Sequence, residues 1–488
     1  MSLLDKYPNL DRVTILSFAF LLIFIAFDSA DNLAAKAMKD DGFDSLGFYS
    51  MSVLYFVFAL GSFFSTAIVN KIGYKYTLFG GSLTYFVRQL CFILPAYYGE
   101  YPSARNQSIL MTQNFIYAVV LVSSLINGLG CGILWTSEGK FVSSCATDET
   151  KGFFFGYFYL IFMSSQVFGN LIAALVLGSG GQTLYFSIMA VLAFLATFMF
   201  LFLKKPLTKQ QIALRLAKNN SAEIQLYQPQ STLNLSEQNQ KNEDEGNGFW
   251  EDTRQTFNLL ISKRMRKVIV FMMWSAFSQS TFTGSFVNLI SLTMKDKGWS
   301  DNKQLAMSLY AMIPLGIGEI IGSLLMGKIM DIYGQKKGII VCGINLIIAM
   351  ILVFAYIIHY QFGALTFIFP FFWGLQDSGI NNILNCTLGF EFDSKSIPFS
   401  VSNFVQPLFL FLFMIAQSYL ETTTDFYIYF SVCFCYGILA LSVLYTFDFK
   451  SISKSARRNS QLHPKQSQQS IPYQRVQNQT LDITSDTS

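Results

Sequence analysis

A chain of 488 residues that is 52% apolar, 16% aromatic and only 13% charged is too greasy for a soluble protein of its size, so the bilayer is its solvent. Its formal charge of +4 gives no warrant for a nucleic-acid partner, because the basic residues are scattered over loops and two polar segments. The seven cysteines lie in apolar runs or loops and the two histidines, His359 and His463, stand far apart, so no disulfide framework, metal site or cofactor is expected.

A spanning helix needs about 20 mostly apolar residues. Twelve stretches qualify, and the first six run roughly from Val13 to Ala35, Leu46 to Val69, Tyr76 to Tyr97, Thr112 to Trp135, Phe153 to Leu177 and Thr183 to Phe202. The other six run from Val268 to Met294, Gln304 to Met330, Gly338 to Ile357, Ala364 to Leu384, Pro398 to Leu420 and Phe426 to Phe447. The apolar run from Val13 passes Phe27 without a small-residue cleavage site and is read as a retained first helix. The expectation is an all-α membrane protein with twelve transmembrane helices in two six-helix pseudo-repeats. Residues 1–202 and 268–447 form the two bundles, 203–267 a polar linker, and 448–488 a disordered Ser- and Gln-rich tail. The linker opens with Lys204, Lys205 and Lys209 and closes with Lys263, Arg264, Arg266 and Lys267, which reads as a solvated segment whose basic ends rest against anionic lipid. Within it, Leu207 to Ala217 and Trp250 to Leu260 are candidates for short surface helices.

Of the 34 Lys and Arg residues, 27 fall on one side of such a chain, with both termini and the linker, and 6 on the other, which makes the first side cytoplasmic. The sequon Asn106-Gln107-Ser108 then lies outside, so Asn106 is a candidate glycosylation site.

One fifteen-residue stretch occurs twice, 261 positions apart, with five identities and no gap. Its first copy runs from Gly61 through Asn70, Lys71 and Gly73 to Lys75, and its second from Gly322 through Gly327, Asp331 and Gly334 to Lys336. Each copy ends an apolar run with a polar or acidic residue, a Gly three positions on, and a Lys, which is a tight basic turn between two membrane helices. The arrangement resembles the Gly-x-x-x-Asp-Arg-x-Gly-Arg-Lys loop of the major facilitator superfamily. The second copy keeps Gly327, Asp331, Gly334 and Lys336 in register, whereas the first has Thr66 for the Gly and Asn70 for the Asp. In transporters of that superfamily the Asp helps lock the two halves on the cytoplasmic side, and the resemblance implies that Asn70 departs from an ordinary transport cycle.

Ionisable groups inside a membrane are costly and mark candidate sites. Asp28, Asp31 and Asn32 share a face of the first helix, Arg88 and Gln89 lie on the third, Glu319 on the eighth, and Asp377, Asn381 and Asn382 on the tenth. One reading gathers them in a polar cavity between the halves. The other has Arg88 pair with a helix-one carboxylate, places Asp31 and Asp377 near water-exposed helix ends, and makes Glu319 a buried structural acid among small residues. No nucleophile, base and orienting acid assemble from this set, and no phosphate-binding loop follows the glycines of the fourth helix, so an enzyme is not expected.

The run from Gly128 through Gly130, Leu134, Trp135, Thr136 and Gly139 to Phe141 resembles the Gly-x-Gly-x-x-x-Leu-Trp-Thr-x-Gln-Gly-x-Tyr signature of the Unc-ninety-three-like family, the ion-channel-regulatory branch of the facilitator superfamily. Glu138 and Phe141 stand where the signature has Gln and Tyr. Further similarity runs through Leu54–Phe64, Ile68–Gly73, Ser164–Asn170 and Gly374–Ser378. The resemblance implies a bundle that binds and regulates or traffics another membrane protein, such as a channel or receptor. The competing reading is a secondary transporter moving a small solute or ion through a central cavity.

Overall fold

A backbone immersed in lipid must satisfy its own N–H and C=O groups, and a helix does so within one segment. The computed structural model describes residues 7–43, 46–105, 107–207, 211–212, 248–294, 297–299, 301–417, 420 and 422–450, and among them no strand forms. Contacts divide the chain into residues 1–447, which hold all the helices below, and residues 448–488, whose described part, 448–450, forms no regular element.

The first helices are α1 (Leu10–Met38), α2 (Leu46–Ile72), α3 (Tyr74–Glu100) and α4 (Gln113–Cys145). The helical run Lys151–Met199 breaks at Gly181, where φ is 77°, into α5 and α6, whose membrane-length segments are Lys151–Ala173 and Gly181–Phe202. The break exposes the first amides of α6, and the Glu100 carboxylate accepts from those of Gln182 and Thr183. A short helix, α7 (Phe249–Ile261), follows in the stretch where the Trp250 to Leu260 surface helix is expected. The other expected surface helix, Leu207 to Ala217, lies largely outside the described residues.

Next come α8 (Lys263–Ser280), a π-helical turn (Thr281–Phe286) and α9 (Val287–Leu292) on one continuous course. The remaining helices are α10 (Asp301–Tyr333), α11 (Gln335–His359), α12 (Leu365–Phe390), α13 (Ile397–Gln417) and α14 (Thr423–Tyr445). Ten segments among the described residues are long and apolar enough to cross a membrane. The two expected spans outside that set are the interrupted α8–α9 course and α12, which carries Gln376, Asp377, Asn381, Asn382 and Asn385.

The duplicated turns are as tight as their sequence implies. Gly73 (φ 84°) joins α2 to α3 and Gly334 (φ 86°) joins α10 to α11, both in a region that side chains resist. The end of the bundle that carries them is called the motif end below. There α5 and α10 meet at two glycines, and a Cβ on Gly152 or on Gly327 would meet the carbonyl oxygen of the other. The fourth helix is longer than expected, running ten residues past Trp135 to Cys145. Its polar extension is covered by protein, with Gly139 packed against Phe399 of α13, so Thr136, Ser137, Glu138 and Lys140 are buried in helix. The glycines of α4 face different neighbours, Gly128 and Gly132 meeting α2 and Gly130 meeting Thr84 of α3.

Candidate functional site

Helices from both parts of the chain enclose a cavity of about 590 Å³. Asp28, Asp31, Asp377 and Asn381 line it, whereas Arg88, Gln89 and Glu319 do not. The side chain of Asn32 lies outside the described residues, as does Asn106. Aromatic rings form much of the wall, among them Phe24, Tyr85, Trp135 and Phe162.

On α1 the two carboxylates have different partners. Gln166 of α5 donates from Nε2 to Asp28 at 3.2 Å. Asp31 forms an ion pair with Arg88, which is wholly buried, donates from Nε to Ser124 Oγ at 3.3 Å, and lies over the Phe92 ring at 4.3 Å from its centroid. Arg88 is thereby held among α1, α3 and α4, away from the cavity. Gln89 donates to the Ala26 carbonyl at 3.2 Å, which fastens α3 to α1.

The other part of the chain contributes α12, where Asn381 donates to Asp377 at 2.8 Å and Asn385 donates to Tyr159 of α5 at 3.0 Å. Glu319 is fully buried where α10 packs on α12, and neither carboxylate oxygen has a hydrogen-bond partner. Gly318 and Gly374 let the two helices close on each other around it, for a Cβ on either would meet backbone of the opposite helix.

The motif end is sealed by hydrogen bonds between the two parts of the chain. Asp331 accepts from the backbone amides of Gly152 and Phe153, each at 2.8 Å, so its carboxylate occupies the N-terminus of α5, where the helix dipole favours an anion. Beside it, Ser65 and Thr66 of α2 meet Ser400 of α13 at 2.7 and 2.6 Å, and Ser62 donates to the Asn403 carbonyl at 3.0 Å. The first motif copy makes a different joint. Asn70 accepts from Lys140 at 3.0 Å and from Ser396 at 3.5 Å, and donates from Nδ2 to Asp252 of α7 at 3.1 Å. The carboxylate missing from this copy is thus supplied by the linker helix, which also stacks Phe249 on Phe64 of α2. Asp252→Ala removes the acceptor of that amide and should cost about 1 kcal/mol. Backbone amides of residues 249–261 should exchange with deuterium faster in that variant, and those in Arg254→Ala, altered on the exposed face, should not.

At the opposite end the cavity reaches Asn288, Ser291 and Met312, and Asn288 is exposed. The cavity is therefore closed toward the motif end, and its far end reaches the exposed Asn288.

The sequence reading passed over Glu138 as a site residue, although it lines the cavity at 2% exposure. Glu138 was noted only where the signature has Gln, and the expected fourth span ended near Trp135, short of the observed helix end at Cys145. Gln166, Asn385 and Asn403 also line the cavity, and unlike Asn32, Gln89 and Asn381 they have no acidic or basic residue within four positions to draw attention to them.

The sequence model of the Major Facilitator Superfamily matches residues 16–391. Protein unc-93 homolog A of Bos taurus is 25% identical over 407 residues, covering 79% of this chain and 82% of that protein. UNC93-like protein MFSD11 of Xenopus tropicalis is 22% identical over 423 residues, covering 81% and 87%. Among solved structures, the fold is similar to the proton:xylose symporter XylE bound to 6-bromo-6-deoxy-D-glucose, with a TM-score of 0.63, 14% identity, and coverage of 90% of this chain and 96% of that one. It is similar also to a bacterial homologue of the iron transporter ferroportin in its outward-facing state, with a TM-score of 0.59, 14% identity, and coverage of 88% and 98%.

Proposed function

Because this chain belongs to the Major Facilitator Superfamily, in its UNC93-like branch, we propose that it is a secondary carrier that binds a small solute between its two parts and exposes it to one face of the membrane at a time. The observation that carries the reading is the cavity of about 590 Å³, sealed at the motif end and reaching the exposed Asn288 at the other. A volume of that size suits a small molecule, and hydrogen-bonded closure of one end is what alternating access requires. In this reading α8–α9 and α12 also cross the bilayer, giving twelve spans in halves 1–202 and 268–447 joined by a linker, 203–267. Both termini are cytoplasmic, as the Lys and Arg distribution supports.

A second reading is an accessory that regulates or traffics another membrane protein, such as an ion channel. It is favoured by the joint at Asn70, where the linker helix adds a tie to the closed end that the second motif copy lacks. Reconstitution in proteoliposomes with a radiolabelled panel of sugars, amino acids, amines and carboxylates separates the two. Uptake of one compound, abolished in Asp28→Asn, supports the carrier. No flux, together with co-purification of a channel or receptor from the native membrane, overturns it in favour of the accessory. Reporter tags at the two termini should both emerge on the cytoplasmic face.

A further inference from the structure

We propose that the cavity is a site for an organic cation, an amine or quaternary ammonium compound, with Glu138 as its anionic anchor. The inference rests on the carrier reading and names its substrate class. Four carboxylates line the cavity, those of Asp28, Asp31, Glu138 and Asp377, and no Lys, Arg or His lines it among the described residues. Arg88 offsets Asp31 alone, from behind the wall. The cavity therefore offers carboxyl groups and no basic side chain, so a cation entering it would favour their ionised form and pair with them, whereas an anion would find no counter-charge on its surface.

Glu138 supplies the second, independent observation. It faces the cavity from α4 at 2% exposure, and its Oε1 has no hydrogen-bond partner. A buried acceptor left open in a membrane protein is costly, and a cationic ligand that enters the cavity would supply the missing partner. Tyr159, which accepts from Asn385 of α12, lines the same cavity as Glu138 and Asp377. Where the Unc-ninety-three-like signature carries a Gln, which cannot ionise, this chain carries a carboxyl group.

The rings specify the kind of cation. Trp135 lies one helical turn before Glu138 on α4, with its centroid 5.2 Å from that of Phe24 and 5.5 Å from that of Phe162, and Tyr85 adjoins Phe24 at 5.6 Å. Aromatic faces attract a diffuse, weakly hydrated cation. A small metal ion would need converging oxygen, nitrogen or sulfur donors, and no group of three or more His, Cys, Asp or Glu is placed to hold one among the described residues. A neutral sugar would leave the carboxylates uncompensated.

The test is binding to the purified full-length protein in nanodiscs, read by quenching of tryptophan fluorescence, with Trp135→Phe to assign the signal to the cavity. The probes are choline, phenethylamine and 3,3-dimethylbutan-1-ol, the uncharged isostere of choline. Choline and phenethylamine should bind competitively, and the isostere about tenfold more weakly or worse. Glu138→Gln should weaken choline by about tenfold, and Glu138→Asp by less. Equal affinity for choline and its isostere overturns the proposal, and that comparison needs no variant to fold. Unchanged choline binding in a folded Glu138→Gln protein overturns it also, as does displacement of choline by manganese ion in place of phenethylamine, or no binding of either amine. Amine binding without flux in proteoliposomes would leave the ligand class standing and remove the carrier reading, whereas flux of a sugar or carboxylate would do the reverse.

Discussion

Replacing Arg88 with methionine should destabilise the protein by about 3–5 kcal/mol, because the change strands the Asp31 carboxylate without its counter-charge in a buried site. The guanidinium also stacks over Phe92 and Phe27 and donates to Ser124, so its removal loosens α1, α3 and α4 together. The expected readout is a markedly lower melting temperature in detergent. The double variant Arg88→Met with Asp31→Asn should recover most of the loss, since it deletes both charges and leaves no lone one. A single variant that melts with the wild type, or a double variant no better than the single, would show that the pair is not what holds these helices together.

The second large effect is expected at Asp331. Its two charge-assisted bonds to the amides of Gly152 and Phe153 cross from α10 to α5, and bonds of this class contribute about 1.5–3 kcal/mol each. Asp331→Ala should therefore shift the protein away from the state sealed at the motif end. Amide exchange in the first turns of α5 should quicken by at least about tenfold, while the core of α3, remote from the seam, keeps its protection. Asp331→Asn retains an oxygen that can accept one of the two amides, so its effect should be intermediate. Exchange in Asp331→Ala indistinguishable from wild type would remove this contact from the closure. Asp252→Ala should have the smaller effect, because Asn70 keeps Lys140 and Ser396 when the linker acid is lost.

The comparison between sequence and structure turns on a few residues. Gly73 and Gly334 were legible because a positive φ between two apolar runs leaves little choice of residue. Asp331 was legible because the resemblance attached a role to it. The partner of Asn70 was not, for Asp252 is 182 positions away, on a helix expected only as a short surface element. Among the ionisable groups, the sequence reading left open whether Arg88 belonged to a cavity or to a pair. The structure pairs it with Asp31 and leaves Asp28 to Gln166. Asp28 and Asp31 share a helix face, so spacing alone could not choose between them.

Composition and repetition alone determined that this chain is a bundle of membrane helices carrying the same basic turn twice, because long apolar runs have no other stable form in lipid and a duplicated motif leaves its mark in register. Only the tertiary structure decided which polar groups face a shared space, that Glu138 is one of them, and that the space is closed at one end. Those facts depend on how helices rotate and approach one another. That is set by packing contacts such as Gly152 on Gly327 and Gly139 on Phe399, between residues far apart along the chain.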